Sequence, residues 1–411
     1  MIVKLSKYKD IPQASIFLSG SKSESNRLLI LQALYPDIEI ANIASCDDTT
    51  LLQKALASQE DIIDIHHAGT AMRFLTAYLA ATTQKEITLT GSPSMLQRPI
   101  GPLVDALRDM GAAITYTAAQ GYPPLKIAPA VLSGDVTIDA SESSQYISAL
   151  VLIGPYLKKG LTLTLRGNIT SKPYIDMTLS LLSQIGAKST FKGENIRILP
   201  LTKSIKVKIA VEGDWSSASY FYSLVALSKK RCVHLSSFKI NSLQADAALA
   251  TLYKPLGVTT TVIDSQTIAL SKNDASLHAA FKADLTPSPD LAQTIAVTCF
   301  GLGIACHLTG LRTLKIKETD RLVALQNELT KLGAVVHITQ DTLLLESHEI
   351  AFKNITQGSK IATYDDHRMA MAFGVLAELF CVRIQDPMVV TKSYPAFYSD
   401  LKKIGISTDF C

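Results

Sequence analysis

The residues best suited to chemistry lie in short polar turns, each followed by an apolar helical pattern. The first is Gly20-Ser21-Lys22-Ser23-Glu24-Ser25-Asn26-Arg27, between the extended segment Ser15-Ile16-Phe17-Leu18 and the apolar run 28–34. The first N–H groups of a helix lack internal partners, and the helix dipole is positive at that end. Hydroxyls, a lysine and an arginine at such a place suit a phosphate or a carboxylate. A serine N-cap with solvated charges accounts for the same residues. The pattern returns in Ala68-Gly69-Thr70-Ala71-Met72-Arg73 before 74–81, and in Gln97-Arg98-Pro99-Ile100 before a helix expected over 101–110. It returns again in Ser143-Ser144-Gln145-Tyr146 before 147–152, and in Ser171-Lys172-Pro173-Tyr174 before 176–185. A glycine at a helix start lets a ligand approach the backbone, and Arg98 offers a planar fork to an oxyanion. Taken singly, each of these turns is equally well a tight turn, a capping box or a solvated arginine.

The second half of the chain carries the carboxylates. Asp290 opens the apolar run 291–299, where it is either an N-cap or, with a substrate hydroxyl in reach, a general base. The densest charge cluster is Lys315-Ile316-Lys317-Glu318-Thr319-Asp320-Arg321, at the head of a helix expected over 322–332. Helical spacing would put Lys317 and Arg321 on one face with Glu318 beside it, as an anion site or as a surface ion-pair ladder. Asp365-Asp366-His367-Arg368 and Thr391-Lys392-Ser393-Tyr394-Pro395 complete the series. His367 and Arg368 do not match metal-ligand spacing. With no HExxH, P-loop or GxSxG present, a metal site, a nucleotide-triphosphate loop and a serine-hydrolase elbow are not expected.

The elements that must hold these turns show a repeat. Amphipathic helices ending in glycine, each followed by a β-type run, close at Gly111, Gly186, Gly257, Gly333 and Gly405, between 71 and 76 residues apart. Each glycine stands where a helix C-cap needs a left-handed residue. Leu51-Leu52-Gln53-Lys54-Ala55-Leu56 reads as a sixth copy without its glycine. A unit of roughly seventy residues is too long for a solenoid repeat and holds several strands and two helices. Six such units suggest two pseudo-symmetric α/β domains of three units each.

At 411 residues, two domains are the expectation. A net charge of +4, with no basic tail or Lys/Arg run, argues against nucleic-acid binding. The start, Met1-Ile2-Val3-Lys4-Leu5, reads as a strand without the apolar core of a secretory signal. The six cysteines form no CxxC pair, so a cytoplasmic protein with reduced thiols is expected, with Cys299 and Cys306 in the core.

In content and order the turns resemble the 5-enolpyruvylshikimate-3-phosphate synthase family (3-phosphoshikimate 1-carboxyvinyltransferases). The resemblance runs from Gly20 to Pro395 through SKSESNR, AGTAMR, QRPIGPL, SSQY, SKPYID, VEGDWSSASYF, KETDR, DHRMAM and KSYP. It implies the enolpyruvyl transferase fold, an inverse α/β barrel: two pseudo-symmetric domains, each of three βαβαββ units. One domain would comprise residues 1–20 and 213–411 and the other 21–212, with the active site in the cleft between them. It implies transfer of the enolpyruvyl group of phosphoenolpyruvate to the 5-hydroxyl of shikimate 3-phosphate through a tetrahedral intermediate, with no cofactor and no metal, in a cytoplasmic monomer on the route to chorismate. Carried over by motif, Lys22, Gly69, Arg98, Gln145, Arg321, Arg368 and Lys392 would surround phosphoenolpyruvate. Lys22, Ser23, Arg27, Ser143, Ser144, Gln145, Ser171, Tyr174, Asp290 and Lys317 would hold shikimate 3-phosphate. Asp290, Glu318 and Lys22 would carry the acid–base work, with Asp290 on the hydroxyl and Glu318 on the methylene carbon, and His367 would lie nearby.

Three positions depart from the family pattern. His67 and Thr313 stand where asparagine is frequent, and Phe74 where proline is. Gly69 is retained, which implies room for the family inhibitor glyphosate. The like charges of the site would oppose closure without ligand, so induced fit is expected. The sister transferase acting on UDP-N-acetylglucosamine is the alternative reaction, but its usual loop cysteine is missing from residues 91–98. A non-catalytic anion-binding homologue is the alternative from another class, and retention of both Asp290 and Glu318 argues against it.

Overall fold

The computed structural model describes residues 1–203, 205–239, 241–273, 279–347 and 360–411. The chain divides into two compact units, one of Gly20–Val211 and one of Met1–Ser19 with Glu212–Cys411.

The Gly20–Val211 unit contains α1 (Lys22–Leu34), α2 (Asp47–Ala57), α3 (Gly69–Thr82), α4 (Gly101–Asp109), α5 (Ser144–Ile153) and α6 (Lys172–Gln184). Two of its sheets have four strands and share one plan. Strand Ile62–Asp64 leads through α3 to its parallel partner Ile87–Thr90, and α4 then leads to the hairpin Ala113–Tyr116 and Leu125–Ala128. Strand Asp135–Asp139, α5, Leu161–Arg166, α6 and the hairpin Ser189–Lys192 with Asn195–Ile198 repeat it. Among the described residues the third sheet keeps only the parallel pair, Ile38–Ala41 with Val207–Ala210. This incomplete unit contains the copy without a glycine, where α2 ends at Ser58 in extended conformation.

The other unit contains α7 (Trp215–Leu227), α8 (Leu249–Leu252), α9 (Ala292–Leu302), α10 (Arg321–Lys331), α11 (His367–Gly374) and α12 (Phe397–Lys403). Its described residues form three four-stranded sheets on the same plan of one parallel pair extended by antiparallel strands. In one of them the N-terminal strand Ile2–Lys7 lies between Val382–Gln385 and Ile406–Phe410, so the two ends of the chain pair antiparallel.

Helices α7 and α9 are buried on almost every side and pack on one another. They therefore lack the polar face of a surface helix. Their small residues allow close approach, and hydroxyls fasten the seam: Ser219 Oγ to Thr294 Oγ1 at 3.1 Å, Ser223 Oγ to Thr298 Oγ1 at 2.6 Å, and Tyr253 OH to Ser223 at 2.9 Å. Each buried hydroxyl thus has a partner, which removes the cost of leaving it unsatisfied. Cys299 and Cys306 are buried in the same core.

All five glycines of the repeat have positive φ, between +86° and +103°. Their neighbours differ: a Cβ on Gly333 would meet nothing within 4 Å, whereas one on Gly405 would come within 2.2 Å of the Lys9 carbonyl oxygen. Gly333→Ala should therefore cost only the left-handed backbone penalty, about 1–2 kcal/mol. Gly405→Ala should cost clearly more, because backbone must also move. Urea denaturation of the two variants checks the order, and equal losses would contradict it.

Candidate active site

In the unit containing α7–α12, three helix starts meet at one guanidinium. Arg368, the second residue of α11, donates through Nη2 to Asp290 Oδ2 at 2.9 Å and to Ser216 Oγ at 3.3 Å. Its Nη1 donates to the Asp290 carbonyl at 3.2 Å. Ser216 is the second residue of α7, and Asp290 lies just ahead of α9. Three positive helix ends are thereby added to the local side-chain charge.

Asp290 is not an N-cap. It sits in the 3-10 turn Pro289–Leu291, and Leu291 occupies the cap position of α9. Its carboxylate is held by Arg321 Nη1 at 2.9 Å, Arg368 at 2.9 Å and Lys317 Nζ at 3.8 Å. Burial alone would raise its proton affinity, but Arg368, Lys317 and Arg321 outweigh burial and hold the carboxyl well below the usual carboxylate range.

The Lys315–Arg321 segment also differs from the sequence expectation. Residues 312–316 form a 3-10 turn, and α10 starts only at Arg321, where Asp320 accepts from the N–H groups of Leu322 and Val323. Lys317 and Arg321 therefore share no helical face. They meet because both reach Asp290. Asp320 capping the helix leaves Glu318 in the preceding loop, where its Oε2 accepts from Arg321 Nη2 at 2.7 Å and its Oε1 pairs with Lys392 Nζ at 2.8 Å.

Arg321 is 2% exposed and every nitrogen is bonded. Nε donates to Asp366 Oδ2 at 2.6 Å, and Nη1 and Nη2 serve Asp290 and Glu318. Burial would release its proton, but the three carboxylates hold it and raise its proton affinity. Asp366 also caps α11 by accepting from the Arg368 N–H at 2.8 Å. His367 is buried beside it, with Nδ1 3.7 Å from Asp366 Oδ1. Thr313 Oγ1 is buried without a hydrogen-bond partner among the described residues.

The unit containing α1–α6 has its own cluster. The helix at the first motif begins at Lys22, earlier than the apolar run suggests, with Ser21 in the cap position making no side-chain cap bond. Ser21 Oγ is buried without a partner among the described residues, so helix capping does not account for it. Lys22 Nζ lies 3.1 Å from Asp48 Oδ2 in the first turn of α2. Gly69 is the first residue of α3, and a Cβ there would come within 2.5 Å of Arg98 Nη1 and 2.7 Å of Arg73 Nη1. Glycine is thus what admits two guanidinium groups beside this helix start. Gln145 Nε2 donates to Thr70 Oγ1 at 3.3 Å, and Ser143 caps α5 through the Gln145 N–H. Ser144 is the first residue of α5, and Ser171 holds the cap position of α6 with φ +51°. His67 Nε2 lies 3.9 Å from Asp47 Oδ2.

Arg27 is enclosed by protein partners. It is 2% exposed and donates to Thr178 Oγ1 at 2.7 Å, the Ser23 carbonyl at 2.8 Å, Ser148 Oγ at 3.0 Å and the Tyr174 carbonyl at 3.4 Å. The rings of Phe74 and Tyr174 flank it, and burial pushes its proton affinity down to about 10. It fastens α1, α5 and α6 together and anchors the backbone at Ser23 and Tyr174.

Sequence reasoning missed the buried counter-ions: Asp366, Asp48 and the second guanidinium, Arg73. The available signal was their position beside motif residues, since Asp366 precedes His367 and Arg73 closes AGTAMR. Among the described residues no cluster of His, Cys, Asp or Glu could hold a metal ion, and no helix is long and apolar enough to cross a membrane.

The family model for EPSP synthase (3-phosphoshikimate 1-carboxyvinyltransferase) matches residues 51–401. A 3-phosphoshikimate 1-carboxyvinyltransferase of Bacteroides fragilis (strain YCH46) is 43% identical over 396 residues, covering 96% of this chain and 95% of the relative. One from Sulfurovum sp. (strain NBC37-1) is 35% identical over 427 residues, covering 96% and 97%. The solved EPSP synthase of Acinetobacter baumannii superposes with a TM-score of 0.77 at 20% identity over 100% of both chains, a likeness of fold.

Arg321→Met should remove the shared cation and leave Asp366 buried without its charge partner. Breaking a buried pair from one side costs about 3–5 kcal/mol. Chemical denaturation should show a loss of that order, and a loss below about 1 kcal/mol would contradict the role given to Arg321.

Proposed function

The chain belongs to the EPSP synthase (3-phosphoshikimate 1-carboxyvinyltransferase) family, and from that premise we propose how its own residues divide the work. The enzyme transfers the enolpyruvyl group of phosphoenolpyruvate to the 5-hydroxyl of shikimate 3-phosphate and releases phosphate. The observation that carries the residue assignment is the pairing of both candidate acid–base carboxylates with cations. Asp290 is held by Arg321, Arg368 and Lys317, and Glu318 by Arg321 and Lys392.

Phosphoenolpyruvate brings a carboxylate and a phosphate on three carbons. These anions compete with Asp290 for Arg368 and with Glu318 for Lys392, because guanidinium and ammonium groups bind carboxylate and phosphate oxygens alike. A carboxylate that loses its cation gains proton affinity. Substrate binding thereby converts stored ion pairs into groups able to accept and donate protons near neutral pH. Asp290 then takes the proton of the 5-hydroxyl as its oxygen bonds to C2, and Glu318 delivers a proton to C3. In the second half the C2–O bond to phosphate breaks, C3 gives up a proton and the enol ether forms. Lys22, with Asp48 as its resting partner, shares this acid–base work and offsets phosphate charge.

Arg321, Arg368, Lys392, Lys22, Gly69, Arg98 and Gln145 serve phosphoenolpyruvate in this reading. Lys22, Ser23, Arg27, Ser143, Ser144, Gln145, Ser171, Tyr174, Asp290 and Lys317 serve shikimate 3-phosphate, and Arg27 also fixes the backbone at Ser23 and Tyr174. The orphaned Ser21 hydroxyl at the start of α1 supports an anion at that helix end. The reading takes the enzyme to be a cytoplasmic monomer that works without a metal or organic cofactor.

The test is phosphate release from phosphoenolpyruvate with EDTA present and either shikimate 3-phosphate or UDP-N-acetylglucosamine as acceptor. Release is expected with shikimate 3-phosphate alone. Glu318→Gln and Asp290→Asn should each lower kcat by about 10²–10⁴. Release with the nucleotide sugar alone would overturn the acceptor, and a near-normal kcat in either variant would overturn its assigned role.

A further inference from the structure

A buried acid with no part in this scheme stands directly behind Arg368. Asp246 lies in the 3-10 turn Ala245–Ala248 and is 2% exposed. Its Oδ2 accepts a hydrogen bond from Ser216 Oγ. Its Oδ1 is buried with no hydrogen-bond partner among the described residues. Ser216 Oγ in turn accepts from Arg368 Nη2 at 3.3 Å, and the same Nη2 donates to Asp290 Oδ2 at 2.9 Å. A single row therefore runs Asp246–Ser216–Arg368–Asp290 within one unit.

We propose that Asp246 is a positioning residue for the enolpyruvyl transfer, acting through Ser216 to decide whether Arg368 is drawn back into the protein or offered to the phosphoenolpyruvate anion. The proposal rests on the function given above and concerns a residue that function does not use.

The physical case begins with the orphaned oxygen. A buried carboxylate with one partner and one unsatisfied oxygen is expensive, and holding a proton is the cheaper state. Burial pushes the Asp246 carboxyl up to about 7 against the opposing pull of Arg368, while nearby Asp290 and Asp214 push it the same way as burial. The charged groups facing it are thus Arg368 from α11, Asp290 ahead of α9 and Asp214 at the cap of α7.

The two protonation states treat Arg368 differently. An ionised Asp246 strengthens Ser216 as an acceptor, because a hydroxyl donating to an anion accepts more strongly. It also places a second negative charge behind the guanidinium. Both effects hold Nη2 toward Ser216 and reduce the positive potential presented to an incoming carboxylate. A protonated Asp246 releases that hold. Phosphoenolpyruvate binding should therefore favour the protonated state, and its affinity should fall as pH rises through neutrality.

The test measures KM for phosphoenolpyruvate against pH at saturating shikimate 3-phosphate. It compares the wild-type enzyme with Asp246→Asn, which cannot ionise, and with Ser216→Ala, which cuts the bridge. Titration of the substrate's own phosphate is common to all three and cancels in the comparison. The wild-type KM should rise about five- to tenfold more than that of either variant between about pH 6 and about pH 8.5. The excess should lie in KM, with kcat following the same profile in all three. A merely structural role would lower yield or kcat without flattening the KM profile. A wild-type profile in either variant overturns the proposal, and Ser216→Ala alone decides it should Asp246→Asn not fold. No turnover by the wild-type enzyme with shikimate 3-phosphate would instead contradict the function itself, so the two failures are distinct.

Discussion

Arg321 is the charge on which the site depends. A guanidinium buried to 2% exposure must recover several kcal/mol of lost hydration. It does so by giving every nitrogen to a carboxylate, with Asp366 on one side and Asp290 and Glu318 on the other. Asp366 ties that charge to the start of α11, and so sets where Arg368 stands. Asp290 and Glu318 are tied to it as well, and each reaches a further cation, Arg368 or Lys392. The resting protein therefore keeps the proposed acid–base groups as ion pairs. In the proposed mechanism an arriving anion displaces a carboxylate, and the displaced carboxylate moves a proton.

The fold makes this arrangement possible by bringing helix starts together. Strands Ile62–Asp64 and Asp135–Asp139 feed α3 and α5, enclosed helices with polar motifs at their starts. Burial of α7 and α9 demands small side chains and paired hydroxyls along their seam, which Ser219, Ser223, Thr294 and Thr298 supply. With the helix bodies packed this closely, Ser216, Asp290 and Arg368 meet at one end. In the other unit, Thr70 at the start of α3 and Gln145 at the start of α5 meet in the same way. Gly69 leaves the space that Arg73 and Arg98 share.

Much of this was legible in the chain. The spaced glycines marked the repeat because a left-handed helix end is a local backbone demand that few other residues meet, and all five do have positive φ. The polar turns before apolar runs located the helix starts for the same reason. Local pattern could not reveal the partners. Asp290 reads as an N-cap because aspartate before an apolar run usually is one, and only the positions of Arg321 and Arg368 show that its carboxylate is used elsewhere. Lys317 and Arg321 suggested a helical face because their spacing fits one, whereas Asp320 caps the helix and leaves Lys317 outside it. Arg27 reads as a ligand residue in the sequence, and nothing there marks its resting partners, Thr178, Ser148 and two carbonyl groups. Asp246 gave no signal at all, since its environment comes from residues 30 and more than 100 positions away.

The most direct test of this account is a titration of the Asp290 carboxyl by carbon-13 NMR, assigned with Asp290→Asn, in the free enzyme and with phosphoenolpyruvate and shikimate 3-phosphate bound. In the free enzyme Asp290 should stay ionised down to the lowest pH at which the fold survives, because three cations hold it. With both substrates bound its titration should move up toward the ordinary carboxylate range or beyond, as the substrate anion takes Arg368 from it. An unchanged titration would mean that the ion pairs persist in the complex, and would contradict the claim that binding converts them into the acid–base groups of the reaction.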